Sequence, residues 1–230
     1  SSPSAYYLAH LDYAKGNYPS ALQRFESLSG DPNFKGIAPY YIVQIHFMQG
    51  EYEAVIQEAP PLIANATDKR AAELKKLLGE SYFYTGNYSK ALPFLEQYQT
   101  EPGTRPGRHD QYVLGYTYYV TGNYSEAARF FQKVTGPQDT LAQYAWYYLG
   151  SCYLEEDKKK FAANAFMQAY KLPFDQDIRE DALFNHAQLA FELSYDPYNE
   201  AVKSLRAYLK AYPESSRNDE AYNFLFKISM

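Results

Sequence analysis

The stretch YVTGNYSEAARFF at residues 119–131 repeats, at a distance of 36 residues, the pattern of FYTGNYSKALPFL at residues 83–95. The same turn triplet, a glycine followed at the second position by a tyrosine, occurs four times, at spacings of 34, 36 and 36 residues. Its glycines are Gly16, Gly50, Gly86 and Gly122. A fixed period of this length predicts a stack of one repeated supersecondary unit.

Each copy of the repeat predicts two helices joined by a tight turn. Before the turn, Leu114, Gly115 and Tyr118 share one helical face. After the turn, Ala127 and Phe131 share another, because residues four apart lie above one another on a helix. The turn glycine suits the left-handed residue that ends many helices. The small residue before the turn lets the second helix approach closely.

Two further copies depart from this pattern. A fifth has Asp157 where the glycine is expected but keeps Ala162 and Phe166, and a sixth runs through Tyr198. In the second copy, Pro60 and Pro61 predict a kinked or shortened second helix. No run alternates with period two for long enough to form a sheet, so the sequence predicts an all-α fold.

The predicted organisation is a single solenoid over residues 1–230. Its repeats span residues 2–35, 36–71, 72–107, 108–142, 143–179 and 180–215, and a C-terminal helix covers residues 216–230.

The fifth copy carries a pattern of Trp, Leu-Gly, Tyr, then Ala, Phe, Ala, at Trp146, Leu149, Gly150, Tyr153, Ala162, Phe166 and Ala169. This pattern resembles the tetratricopeptide repeats, and the resemblance extends from about residue 4 to about residue 212. It implies a right-handed superhelical solenoid of about six helix-turn-helix repeats plus a C-terminal helix. It also implies a concave groove, lined by the first helix of each repeat, in which a peptide is bound.

Counting back from each turn places a second set of residues on one face of the first helices. The set is Tyr6, His10, Tyr13, Tyr40, Gln44, Phe47, Tyr112, Tyr116, Tyr119, Tyr144, Tyr147, Phe184, Gln188 and Phe191. By the resemblance, these residues line the groove. Tyrosine offers a rigid apolar surface and a hydroxyl, as recognition surfaces require. The alternative is that several of the rings pack between neighbouring first helices. In the third repeat the corresponding Lys76 and Glu80 predict an intrahelical salt bridge.

Composition and motifs exclude several classes of function. The 22 basic and 27 acidic residues give a net charge of −5, which argues against a nucleic-acid partner. The four histidines and single cysteine lack metal-ligand spacing, and no catalytic or cofactor-binding motif is found. We therefore expect no enzyme activity, no metal site and no cofactor. No stretch approaches the roughly 18–20 apolar residues that would predict a membrane-spanning segment.

The sequence thus predicts a non-catalytic interaction scaffold with a protein or peptide partner. A glycan or cell-wall ligand is an alternative, because aromatic rings also stack on sugars, and a structural spacer in a longer chain is another. The tail at residues 211–222 resembles the linker of repeat proteins associated with bacterial outer-membrane assembly and cell division. That resemblance favours a periplasmic or outer-membrane-associated location. The oligomeric state is left open.

Overall fold

The computed structural model describes residues 2–193 and 200–229, and this part of the chain forms thirteen helices and no strand. The chain divides into two compact units, residues 1–106 (unit 1) and residues 107–230 (unit 2), and each is described by itself. The helices of unit 1 are α1 (Ser2–Ala14), α2 (Tyr18–Leu28), α3 (Ala38–Met48), α4 (Tyr52–Ile63), α5 (Asp68–Tyr84) and α6 (Tyr88–Thr100). Those of unit 2 are α7 (Arg108–Val120), α8 (Tyr124–Gln132), α9 (Thr140–Glu155), α10 (Lys159–Lys171), α11 (Gln176–Leu193), α12 (Glu200–Ala211) and α13 (Asn218–Ser229). The predicted all-α class is confirmed, whereas a single solenoid over both units stays a prediction.

The predicted turns share one backbone geometry. Gly16, Gly50, Gly86 and Gly122 all have positive φ, between 74° and 83°. The amide one residue later donates to the carbonyl five residues before it, as in Asn123 to Tyr118 at 2.9 Å, which closes the end of the first helix. The second helix begins immediately afterwards, two residues beyond the glycine.

The fifth turn keeps this geometry without a glycine. Asp157 has φ of 56°, and the Lys158 amide donates to the Tyr153 carbonyl at 2.7 Å. Aspartate is one of the few side chains that tolerates the left-handed region. The turn of the sixth repeat, with Tyr198, lies outside the described residues.

Close approach within a helix pair requires the glycines before the turn. A Cβ atom on Gly150 would lie 2.9 Å from Phe166 Cε1, and one on Gly79 would lie 2.9 Å from Leu95 Cδ2. Phe166 itself is 1% exposed. Phe166 and Leu95, each four residues after the repeated alanine of its helix, therefore occupy the space that a side chain in place of the glycine would need.

Within each unit, every helix packs on the next one along the chain. First helices of neighbouring repeats also touch, in the pairs α3 and α5, α7 and α9, and α9 and α11. The C-terminal helix α13 packs on α12, and Phe224 on α13 lies 5.1 Å from Phe191, ring centre to ring centre. The first helices therefore place equivalent residues side by side, and this arrangement positions the candidate site.

Candidate ligand-binding face

Three of the predicted residues, located three positions before the turn, form ring contacts with the turn tyrosine. The ring centres are 6.0 Å apart for Tyr13 and Tyr18, 5.5 Å for Phe47 and Tyr52, and 5.7 Å for Tyr119 and Tyr124, all edge to face. Such pairs contribute beyond their buried area. Part of each of these three rings therefore stabilises the turn.

In unit 1 a network of polar contacts joins α1 to α3. His10 Nε2 lies 2.9 Å from the Tyr41 hydroxyl, and the Tyr13 hydroxyl donates to Gln44 Oε1 at 3.0 Å. The Tyr41 ring stacks on Phe25 at 4.8 Å between ring centres. Burial raises the pKa of Tyr41 to about 12, so the phenol stays protonated at neutral pH. The network fixes the orientation of His10, Tyr13 and Gln44, and all three side chains stay partly exposed.

A second group in unit 1 joins α3 to α5. The Tyr40 hydroxyl donates to the Glu73 carboxylate, and the Arg70 guanidinium lies 5.5 Å from the centre of the Tyr40 ring. Burial raises the pKa of Glu73, while the charge of Lys76 opposes this rise. The predicted salt bridge between Lys76 and Glu80 is confirmed, with 3.8 Å between Nζ and Oε1.

These two groups line an open concavity of about 590 Å³, which we call the unit 1 groove. It is lined by His10, Tyr13, Tyr40, Tyr41, Gln44, Thr67, Lys69, Arg70 and Glu73. Three successive first helices contribute to it, with four of the predicted residues on its wall. The volume lies in the range of small-molecule and side-chain binding sites.

The other predicted residues of unit 1 lie against its core. The Tyr6 ring stacks on Phe34 at 5.0 Å between centres and meets Phe25 edge to face at 6.1 Å. Phe47 contacts Tyr52 and lies 6.3 Å from Tyr84. Neither Tyr6 nor Phe47 lines the unit 1 groove.

In unit 2 the predicted tyrosines pack around Tyr148. Its ring centre lies 4.9 Å from that of Tyr116, 5.2 Å from Tyr119 and 5.3 Å from Tyr147. Tyr112 is 6.2 Å from Tyr116. We call these five residues the unit 2 tyrosine cluster. Burial raises the pKa of Tyr112, of Tyr147 and of Tyr148 far above the ordinary value.

Two tyrosines of α9 donate to carboxylates of the loop before α11 and of α11 itself. The Tyr144 hydroxyl donates to Asp175 Oδ2 and the Tyr147 hydroxyl to Asp181 Oδ2, each at 2.5 Å. The bond from Tyr144 lowers the pKa of Asp175. Because bonds to charged acceptors are the stronger ones, these hydroxyls fix the contact between neighbouring repeats.

The three predicted residues of α11 lie in different surroundings. Phe184 is 5% exposed and packs on Tyr208, with 5.2 Å between ring centres, so it belongs to the core. Gln188 donates to Glu192 on its own helix at 3.2 Å. Phe191 packs on α13. They do not form a common surface with the unit 2 tyrosine cluster in the contacts described above.

Sequence reasoning missed one repeated position, nine residues before the turn residue. Tyr41 and Tyr148 both occupy it, and each stacks on a phenylalanine of the preceding hairpin, Phe25 and Phe131, at 4.8 and 5.8 Å. Tyr7 occupies the same position in the first hairpin and is 64% exposed. Comparing this position across the repeats would have revealed the pattern.

The cysteine is buried in the helix pair of the fifth repeat. Burial raises the pKa of the Cys152 thiol to about 12, so the thiolate that nucleophilic chemistry requires does not form at neutral pH. Among the described helices, none combines the length and apolar character needed to cross a membrane.

Helix hairpins with one recurring turn geometry, and an aromatic face on their first helices, define an all-α repeat protein. Residues 112–178 and residues 181–215 each match a family described as tetratricopeptide repeat. These two segments of unit 2 are tetratricopeptide repeats, as the sequence pattern predicts.

Solved structures of low sequence identity share the fold. YrrB, described as a TPR protein with an unusual peptide-binding site, is 16% identical, with a TM-score of 0.68 over 86% of this chain and 97% of that chain. MamA AMB-1 is 17% identical, with a TM-score of 0.64 over 80% and 95%. The C-terminal part of a TPR repeat-containing protein from Cytophaga hutchinsonii is 16% identical, with a TM-score of 0.65 over 96% and 87%. Among curated protein sequences, none is similar enough to count as a match.

Proposed function

We propose that the protein is a non-catalytic interaction scaffold that binds a peptide segment of a partner protein in the unit 1 groove. The observation that carries this proposal is the groove itself, which three first helices line with tyrosines, a histidine and a glutamine. The polar side chains are already oriented by the bonds from Tyr13 to Gln44 and between His10 and Tyr41. A surface oriented before binding loses less conformational freedom when a ligand arrives.

The chemistry of the groove fits a peptide. Aromatic faces of Tyr13 and Tyr40 supply apolar area, while Gln44 and His10 supply partly exposed donors and acceptors. Peptide-binding surfaces combine these elements, since a peptide presents both apolar side chains and backbone amides. The peptide-binding site in the printed description of YrrB belongs to that protein, but it supports the same use of the shared fold.

The remaining predicted residues enter the proposal differently. The rings of the unit 2 tyrosine cluster contact one another, and Phe184 is buried. We therefore propose Tyr13, His10, Tyr40 and Gln44 as the main contact residues, with Tyr41 as the residue that orients His10.

The proposal is tested by selecting a phage-displayed library of random 12-residue peptides on the purified protein. The best-selected peptide is then labelled with fluorescein and titrated by anisotropy. We expect Tyr40→Ala and Gln44→Ala each to weaken its binding by about tenfold or more, as for central interface residues.

Tyr222→Ala is the matched control, since Tyr222 is a 60% exposed tyrosine on α13. It should leave the affinity unchanged, and circular dichroism should show that all three variants keep the helical content. Peptides that bind both groove variants as tightly as the original chain would refute the groove assignment, as would a selection that yields no binding peptide.

A further inference from the structure

Two basic side chains on the rim of the unit 1 groove, Lys69 and Arg70, take part in no ion pair with the side chains that the structure describes. The ion pairs among the described residues of unit 1 join Arg24 to Asp12, His46 to Glu51 and Glu58, Lys75 to Glu101, and Lys76 to Glu80. Lys69 and Arg70 are absent from these pairs, which cover only the side chains that the structure describes. Lys69 is exposed and Arg70 is partly buried, and both line the groove.

Arg70 is positioned by the aromatic wall. Its guanidinium lies 5.5 Å from the centre of the Tyr40 ring, on the same tyrosine whose hydroxyl donates to Glu73. A guanidinium next to an aromatic face keeps its N–H donors available at its edges, where a carboxylate can accept two hydrogen bonds. Glu73, a carboxylate among the described residues of the groove wall, accepts from Tyr40.

Helix stability does not explain this pair of cations. Lys69 and Arg70 lie in the first turn of α5. The partial positive charge of a helix N-terminus disfavours cations in its first turn, at a cost of about 0.3–1 kcal/mol each. Residues that oppose the local preference occur most often where function requires them.

We infer that the unit 1 groove binds a peptide segment that carries acidic side chains beside apolar or aromatic ones. This inference rests on the proposed function and adds the chemistry of the partner. The tyrosine faces accommodate the apolar side chains, and Lys69 and Arg70 pair with the carboxylates.

The test compares the peptides selected by two charge variants. The random 12-residue library is selected on the original chain, on the double variant Lys69→Glu/Arg70→Glu, and on the control Lys15→Glu/Lys35→Glu, which makes the same charge change at exposed lysines of unit 1. We expect the original chain and the control to enrich Asp and Glu. The groove variant should lose that enrichment.

A titration measures how much the loss of Arg70 weakens the binding of an acidic peptide. The best acidic peptide, labelled with fluorescein, should bind Arg70→Glu about tenfold more weakly than the original chain at 50 mM salt, and the difference should shrink at 500 mM salt because exposed charges are screened. The same peptide with its acids changed to amides should bind the original chain and Arg70→Glu equally.

The outcomes separate this inference from the proposed function. Selected peptides that lack acidic enrichment, bind Arg70→Glu normally and lose binding in Tyr40→Ala would overturn the inference and leave the proposed function intact. Failure to select any groove-binding peptide would overturn both. Equal or tighter binding of a 12-nucleotide single-stranded DNA, with the same dependence on Arg70, would overturn the assignment of the partner as a peptide.

Discussion

The two units use the same repeat positions for different purposes. In unit 1, the face of the first helices combines tyrosines with His10, Gln44 and Arg70, and it surrounds an open groove. In unit 2, the corresponding face of α7 and α9 is rich in tyrosine, and the rings pack on one another around Tyr148. Mixed polar and aromatic side chains thus leave space for a ligand, whereas rings of one size fill the space between neighbouring helices.

Two tyrosine hydroxyls of these faces have different kinds of acceptor. In unit 2 the Tyr147 hydroxyl donates to a carboxylate of the next repeat, and burial raises the pKa of Tyr112 and Tyr148 strongly. In unit 1 the Tyr13 hydroxyl donates to Gln44, an uncharged and partly exposed acceptor that a ligand could also use. The Tyr40 hydroxyl of the unit 1 groove also donates to a carboxylate, Glu73, so neither the number of tyrosines nor the partner of a hydroxyl by itself distinguishes an open face from a packing face.

The prediction with the largest expected effect tests whether the buried cores beneath the first helices of unit 1 and of unit 2 contribute equally to stability. Phe25 and Phe131 are fully buried, and each supports the tyrosine nine residues before the next turn residue. Changing either to alanine should lower the free energy of unfolding by about 3–5 kcal/mol. Urea unfolding followed by circular dichroism measures the loss.

Amide hydrogen exchange shows which helices each of these two substitutions destabilises. Phe25→Ala should accelerate exchange in α1 to α3, and Phe131→Ala in α7 to α9. Phe161→Ala is the control, because Phe161 is 64% exposed and should change stability by no more than about 0.5 kcal/mol. A loss below about 1 kcal/mol for either buried phenylalanine would contradict the equivalence of the two cores.

Alkaline pH should reveal the buried tyrosines of unit 2. An unfolded tyrosine has a pKa near 10, whereas burial holds the folded pKa of Tyr112, Tyr147 and Tyr148 higher. Above pH 10 the unfolded state therefore loses protons that the folded state keeps. Stability present below pH 10 is lost as the pH rises towards the folded pKa, by up to about 1.4 kcal/mol per tyrosine for each pH unit.

Urea unfolding at pH 8, 10 and 11, followed by the fluorescence of Trp146, measures this loss, since the only tryptophan lies in unit 2. Tyr112→Phe keeps the ring and removes one titrating phenol, so its stability should fall less steeply above pH 10. An unchanged slope in this variant would show that Tyr112 titrates normally.

The smallest expected effect concerns the N-cap residues of two helices, each of which directly precedes its helix. Asp139 caps α9, where its side chain accepts from the Ala142 amide at 2.8 Å and pairs with Arg108 at 2.7 Å. Thr67 precedes α5 in the unit 1 groove and makes no side-chain cap bond. Asp139→Ala should cost about 1 kcal/mol, and Thr67→Ala close to nothing.

Asp139→Asn separates the cap from the charge, because asparagine keeps an acceptor for the Ala142 amide. Thermal unfolding of the three variants should rank Asp139→Ala lowest and Thr67→Ala nearest the original chain. Equal destabilisation by Thr67→Ala would mean that this threonine stabilises α5 by a contact other than a cap.

The repeated turn and its helix pair could be predicted because they depend on local residue types. A glycine at the turn, a small residue seven positions before it and a bulky apolar residue nine positions after it determine the hairpin, and all three are present in the first, third and fourth copies. The prediction of a kinked or shortened α4 is wrong as to its length, because the helix continues to Ile63 with Pro60 and Pro61 inside its last turns, and the kink stays a prediction. The neighbouring helices support this segment, since Val55 and Ala59 are fully buried against them.

The binding face could be predicted only in part. The repeat period predicts which face of a helix a residue occupies. It does not predict how much of that residue's side chain the next repeat buries. Tyr40 and Tyr147 occupy the same position, yet one lines an open groove and the other packs on Phe166. Lys69 and Arg70 lie outside the period, at the start of α5, and only the structure brings them beside Tyr40.

The left-handed turn at Asp157 shows that the turn geometry of this fold does not require a glycine. Five turns close through the same backbone bonds, four with glycine and one with aspartate, so the chain path depends little on the side chains exposed around it. Substitutions can then accumulate on the outer faces without altering the architecture. This freedom is consistent with solved proteins that keep the same helix arrangement at 16–17% identity. Ligand preference can drift from one descendant to another while the scaffold is inherited intact.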